Sequence, residues 1–213
     1  GQVISIDTDE GSTDVFASDV LTITNATGVT GATVTLDGLL ALDASGVGIT
    51  TNAGTLTITD NITDSTGFAE NSMVTLAGSA TTSDVTAVTL AGGGLSAAST
   101  DAIFTLAGTS NVELATIDAK ALKSDLIITA TTKTGVVVDL GSGDNVVTVP
   151  KADLGRDEMT LNGGDGADKL VSTNLAATLY RPKLTSVETL DLDMTTGTAT
   201  ELSLLESTGI TTI

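Results

Sequence analysis

Met159-Thr160-Leu161-Asn162-Gly163-Gly164-Asp165-Gly166-Ala167-Asp168-Lys169-Leu170 carries both signals on which the fold turns. Its first five residues set apolar side chains on either side of a threonine and close on glycine, as a strand with alternating faces followed by a turn requires. The same apolar-Thr-Leu-small-Gly pattern recurs as Val34-Thr35-Leu36-Asp37-Gly38, Val74 to Gly78, Val88 to Gly92 and Phe104 to Gly108. A recurring strand-plus-turn unit implies a common rung. Spacings of 40, 14, 16 and 55 residues are too irregular for a strict solenoid, yet the short steps fit successive coils of a parallel β-helix or a stacked β-sandwich edge. The fold expected is all-β and parallel β-helix/β-roll-like, with stacked short strands, glycine-aspartate turns and irregular insertions.

Further short strands are expected at Leu21–Thr24, Leu56–Thr59, Leu126–Thr129, Val136–Asp139, Val146–Val149 and Thr189–Leu192. Ile117 to Ser124, with Asp118 near its start and Lys123 near its end, reads as about two turns of helix. A loop is expected around Tyr180-Arg181-Pro182.

Composition agrees with a β-rich chain and narrows its chemistry. The 213 residues hold 27 carboxylates against 8 basic side chains, a formal charge of -19, and no His, Cys or Trp. With 40% hydrophobic residues the chain has material for a core, built from Val, Leu, Ile and Ala because the aromatics are Phe16, Phe68, Phe104 and Tyr180 alone. Lacking His and Cys, it has no Ser-His-Asp triad, thiol nucleophile or zinc finger. The acidic excess repels phosphate backbones, so nucleic acid is not an expected partner. Carboxylate, hydroxyl and carbonyl oxygens are the abundant ligands, and they favour Ca²⁺ or Mg²⁺ over transition metals. No run of 18 or more apolar residues encodes a membrane span. The absence of cysteine is compatible with a bacterial protein exported before it folds. The chain opens at once on Val3-Ile4-Ser5-Ile6 and stops at Ile213 after a strand-like run, as expected of a fragment.

Charge divides the chain softly. Residues 1–119 hold 14 carboxylates and no Lys or Arg, and all eight basic residues fall in 120–213. The expected organisation is an acidic Thr/Gly-rich β domain over 1–119 and a second β domain over 120–213, or one continuous solenoid.

The sharpest chemistry lies in Leu140-Gly141-Ser142-Gly143-Asp144-Asn145 and Gly163-Gly164-Asp165-Gly166-Ala167-Asp168, each followed two positions later by an apolar residue, Val147 and Leu170. The second matches G-G-x-G-x-D-x-U in full. Glycines let the backbone turn sharply and aim carbonyl oxygens inward, the closing Asp adds a carboxylate, and two such turns stacked form a cage of about six to eight oxygens suited to Ca²⁺. The first cluster has Leu140 for the leading glycine and Asn145 for the closing aspartate, so it supplies a neutral ligand to which Asp144 or Asp165 adds charge. Candidate ligands are therefore Leu140, Ser142, Gly143, Asp144, Asn145, Gly163, Gly164, Asp165, Gly166 and Asp168. Asp168 is the main carboxylate and Asn145 its counterpart. In the alternative reading the clusters are structural turns, and Asp168 bonds backbone amides. The acidic run Asp7 to Asp14 lacks a complete calcium-loop frame and reads as a solvated turn. Asp191 and Asp193 share one side of a strand, as an exposed sheet face or an interchain metal contact would.

From these residues the sequence resembles the RTX (repeats-in-toxin) family, whose nonapeptide repeats bind calcium in parallel β-rolls of exported bacterial proteins. Residues 136–149 and 161–171, followed by Leu184-Thr185-Ser186-Val187-Glu188-Thr189-Leu190-Asp191-Leu192, look like the RTX-containing surface-layer proteins of Gram-negative bacteria. In that group a [Val/Ile]-Glu-Thr-Leu-type strand follows the calcium turns. The resemblance implies Type I secretion and residence on the cell surface. One departure stands out: RTX repeats recur about every nine residues, whereas Gly141 and Gly164 are 23 apart. The pair stacks if 150–160 loop out, as Pro150 and the charged Lys151 to Glu158 segment suggest.

Four functions compete. The favoured one is a non-catalytic structural module of a bacterial surface layer (S-layer), in which calcium bridges or screens acidic tiles that self-assemble as homo-oligomers into a two-dimensional lattice. Any anchor to a cell-surface glycan or protein is expected through parts of the chain beyond these residues. The alternative is a domain of a large secreted RTX adhesin, though four aromatics argue against a sugar-stacking groove. A β-helical polysaccharide-acting enzyme ranks lower, for want of His, Trp and clustered Arg or Lys. Ice binding through Thr-x-Thr pairs such as Thr33/Thr35 ranks last.

Overall fold

The computed structural model describes residues 2–8, 20–23, 30–39, 47–63, 71–78, 85–93, 103–108, 112–129, 132–149, 159–172, 179–193 and 201–213. Along them run β1 (Gln2–Thr8), β2 (Val20–Ile23), β3 (Gly31–Leu39), β4 (Val47–Thr51), β5 (Thr55–Thr63), β6 (Asn71–Gly78), β7 (Val85–Gly92), β8 (Ile103–Gly108) and β9 (Val112–Leu122). The second half supplies β10 (Asp125–Ile128), β11 (Thr132–Asp139), β12 (Val146–Thr148), β13 (Thr160–Asn162), β14 (Lys169–Ser172), β15 (Leu179–Tyr180), β16 (Lys183–Thr185), β17 (Thr189–Leu192) and β18 (Glu201–Leu202). The protein is all-β among the described residues, and no helix there is long and apolar enough to cross a membrane.

Two eight-stranded sheets take alternate strands. One runs β1-β3-β5-β7-β9-β11-β13-β16, the other β2-β4-β6-β8-β10-β12-β14-β17, and β15 pairs separately with β18. Neighbours are parallel throughout, as at β3 with β5 and β12 with β14. Parallel neighbours cannot be joined by a tight hairpin; here each circuit of the chain crosses to the other sheet and returns, adding one strand to each.

Alternation along each strand turns one face inward. In the first sheet Ala32, Leu56, Val88, Ile117, Val138, Leu161 and Leu184 lie side by side from strand to strand. In the second, Val74, Leu106, Ile128, Val147, Leu170 and Leu190 do the same. All are buried and belong to one hydrophobic cluster drawn from both sheets. Like-on-like stacking of aliphatic side chains fills this interior without aromatics.

The five pentapeptides are all strands, but they do not stack residue on residue. Val34 aligns through Ile58 with Leu90, and Val88 lies level with Ala32. The two-residue offset is tolerated because the side-chain period is two, so apolar positions stay on the inner face. The short spacings also have a different meaning from the one expected. Val74, Val88 and Phe104 sit on β6, β7 and β8, which alternate between sheets, so steps of 14 and 16 residues are half circuits rather than successive coils.

Ile117–Ser124 is not a helix. β9 runs through it to Leu122, paired with β7 on one side and β11 on the other. A two-turn helix is marginal alone, whereas here both edges of the segment find parallel partners and Ile117 and Ala119 are buried in alternation. The expected loop at Tyr180-Arg181-Pro182 is reduced to Arg181-Pro182, since Tyr180 is buried in β15. The charge boundary at Lys120 falls inside β9. Of the Thr rows, Thr33, Thr57 and Thr89 align but give way to Asp118, Asp139 and Asn162. Thr24, Asp9 to Asp14, and Pro150 to Glu158 lie outside the described residues.

Candidate metal centre

Where β11 and β13 end and the chain crosses to the second sheet, the two glycine clusters come to lie one on the other. Ser142 bridges Asp165, the Gly143 N–H donates to the Asp165 carbonyl at 2.9 Å, and the Asp165 N–H donates to the Gly141 carbonyl at 3.2 Å. The separation that departs from a nonapeptide repeat is one full circuit: Asn145 and Asp168, 23 residues apart, are hydrogen-bonded neighbours. Glycine is required by conformation and by space. Gly164 and Gly166 have φ of 92° and 128°, which L side chains rarely adopt. A Cβ at Gly164 would also overlap the Gly141 carbonyl oxygen, and one at Gly166 that of Gly143.

Side chains continue the stack in a ladder. The Leu126 N–H donates to Asn145 Oδ1 at 3.0 Å, the Asn145 N–H to Asp168 Oδ1 at 3.0 Å, and the Asp168 N–H to Glu188 Oε2 at 2.8 Å. Each side chain thus accepts from the circuit before it. A second ladder runs in the other direction: Asp125 Oδ1 accepts from the Asp144 N–H and Asp144 Oδ1 from the Ala167 N–H, both at 2.7 Å. The Asn145 amide nitrogen donates to Asp168 Oδ1 at 2.7 Å and to the Gly143 carbonyl at 2.8 Å, with the Gly163 carbonyl at 3.4 Å.

Asp168 is the unusual member. It is 1% exposed, and its second oxygen, Oδ2, is buried with no hydrogen-bond partner. Burial pushes its carboxyl up to about 6; the hydrogen bonds from Asn145 pull the other way, and the nearby Glu188 and Asp144 carboxylates add to the rise. A buried, unpaired carboxylate oxygen is costly unless something neutralises it. A Cβ at Gly163 would overlap both this oxygen and the Ser186 carbonyl oxygen, so the two face the glycine's bare Cα. These oxygens fit a hard divalent cation. Comparison with protein-family models, curated proteins and solved structures finds no match.

The predicted ligands divide. Asn145, Asp168, Gly143 and Gly163 converge within hydrogen-bond reach. Leu140 has its side chain buried and its carbonyl oxygen beside Gly164, while Ser142, Asp144 and Asp165 are exposed. Among the described residues no three acidic side chains gather into a metal cluster, so a cation at this corner would need main-chain carbonyls beside one or two carboxylates. Outside the predicted set the structure adds Glu188, Ser186, with φ of 51°, and Asp125. A signal for Glu188 existed: Asn145, Asp168 and Glu188 each stand directly before a strand and two positions before its buried residue, Val147, Leu170 or Leu190. Asp191 lies on the exposed face, ion-paired with Lys169 at 2.7 Å.

Proposed function

We propose that this chain is a calcium-stabilised, non-catalytic structural module of an RTX-type bacterial surface layer, secreted and self-assembling into a lattice. The winding of two parallel sheets is read as a parallel β-helix of the β-roll kind, with calcium at the glycine-aspartate corner. The observation that carries this reading is the buried Asp168 carboxylate, one oxygen of which is spent on the Asn145 ladder while the other is left without a partner. Such an atom calls for a cation, and the oxygens around it suit Ca²⁺.

Titrating calcium into chelator-treated protein, with light scattering and thermal unfolding followed together, tests the reading. Sheet-like assembly and a raised melting temperature, both lost in Asp168→Ala, are the expected result. Stabilisation without assembly points instead to an adhesin domain. No response to calcium returns the glycine clusters to structural turns and removes the proposal.

A further inference from the structure

The two glycine turns suggest a cation held between them, but that space is already served by the chain itself. The Asn145 amide nitrogen is met by three oxygens, Asp168 Oδ1 and the Gly143 and Gly163 carbonyls. Its orientation is set by Asn145 Oδ1, which accepts the Leu126 N–H. A nitrogen bearing two hydrogens and facing only oxygens supplies, weakly, what a cation would supply strongly. The oxygen left over, Asp168 Oδ2, lies over the bare Cα of Gly163 together with the carbonyl oxygen of Ser186, which belongs to the following circuit. Glu188 of that circuit holds the Asp168 N–H with its own carboxylate at 2.8 Å.

We propose that the calcium ion sits one circuit later than the glycine turns imply, between the Gly163–Asp168 turn and the Ser186–Glu188 segment. Asp168 Oδ2, the Ser186 carbonyl and the Glu188 carboxylate take the ion, and the Asn145 amide stands in for an ion between the first two turns. The inference rests on the calcium reading and adds its location and a ligand, Glu188. Two neighbouring carboxylates, one of them buried, are costly unless a cation lies between them. Ser186 supports the placement independently: it is the described non-glycine residue with positive φ, at 51°, a conformation that persists where the surroundings impose it and that recurs at ligand sites.

Isothermal titration of calcium into the chelator-treated full chain distinguishes the placements, with Asp168→Asn showing how many ions bind elsewhere. Wild type is expected to bind an additional ion relative to Asp168→Asn. Glu188→Gln, which keeps an acceptor for the Asp168 N–H, is expected to weaken that ion by about tenfold or more. Asn145→Asp removes the amide donors and adds a carboxylate, so it is expected to gain a further ion. An ion lost in Asp168→Asn but unchanged in Glu188→Gln overturns the placement while leaving the calcium reading intact. Asn145→Asp with tighter binding and no added ion does the same. Equal stoichiometry in wild type and Asp168→Asn overturns both. The calcium-induced rise in melting temperature, which must shrink in Glu188→Ala, gives a second readout if Glu188→Gln folds poorly.

Discussion

Asp168 holds two differently placed oxygens, one tied to Asn145 and one buried without a partner. This division gives a pH dependence of known sign. In the unfolded chain the carboxyl ionises near the usual value of about 3.9, whereas in the folded, metal-free protein burial holds it up to about 6. Between these values the folded state binds more protons, so the Asp168 contribution favours folding at low pH and is lost as pH rises towards 6. Chelator-treated wild type should therefore lose more stability between about pH 4 and pH 7 than Asp168→Asn, by on the order of 2 kcal/mol, as read by denaturant unfolding at each pH. An identical decline in both proteins would remove the assignment. The motif around Asp168 was legible in the sequence because glycines and a closing aspartate at fixed spacing are local features. The place of Glu188 before its strand was a local feature too, but its pairing with the Asp168 N–H was not legible, since the two are 20 residues apart and meet only through the winding.

At the scale of the strand, position on the inner or outer face decides what a substitution costs. Leu161 of β13 lies between Val138 and Leu184 and is 1% exposed, while its neighbour Thr160 faces outward and is half-buried. Leu161→Ala should cost about 2–5 kcal/mol through lost burial and a residual cavity, and Thr160→Ala should stay within about 0.5 kcal/mol. Equilibrium denaturation of the two variants checks the contrast, and comparable losses would contradict the assigned faces. Strand existence was readable from alternation alone, as at Val34 to Leu36 and Val88 to Leu90. Register was not, because a two-residue offset preserves the same pattern of buried and exposed side chains. The helix expected at Ile117–Ser124 failed for a related reason: local helix-end signals took no account of partners waiting on both sides in β7 and β11.

For the whole molecule, a formal charge of -19 means that folding brings like charges together. Lysines offset part of this by bridging successive circuits, Lys120 to Asp139 at 3.2 Å and Lys183 to Glu206 at 2.9 Å. These pairs are exposed, and such pairs stabilise little individually. Raising NaCl from about 0.02 M to about 0.5 M in the presence of chelator should therefore raise the melting temperature, as the added ions screen the repulsion among the carboxylates. Calcium should give a comparable rise at far lower concentration if it binds a specific site. Overlapping curves for sodium and calcium at matched ionic strength would show that calcium acts here by screening alone.

The sequence by itself determined the glycine turns, the excess of oxygen ligands and, β9 excepted, many of the strands with their apolar and polar faces, since each follows from a local period or from composition. Tertiary structure alone decided that the pentapeptides alternate between two sheets, that 23 residues separate Asn145 from its partner Asp168 by one circuit, and that Asp168 Oδ2 is left unpaired beside the Ser186 carbonyl. The physical reason is the same in each case. Parallel pairing joins residues a whole circuit apart, and the length of each circuit depends on connections whose residues leave no period in the sequence.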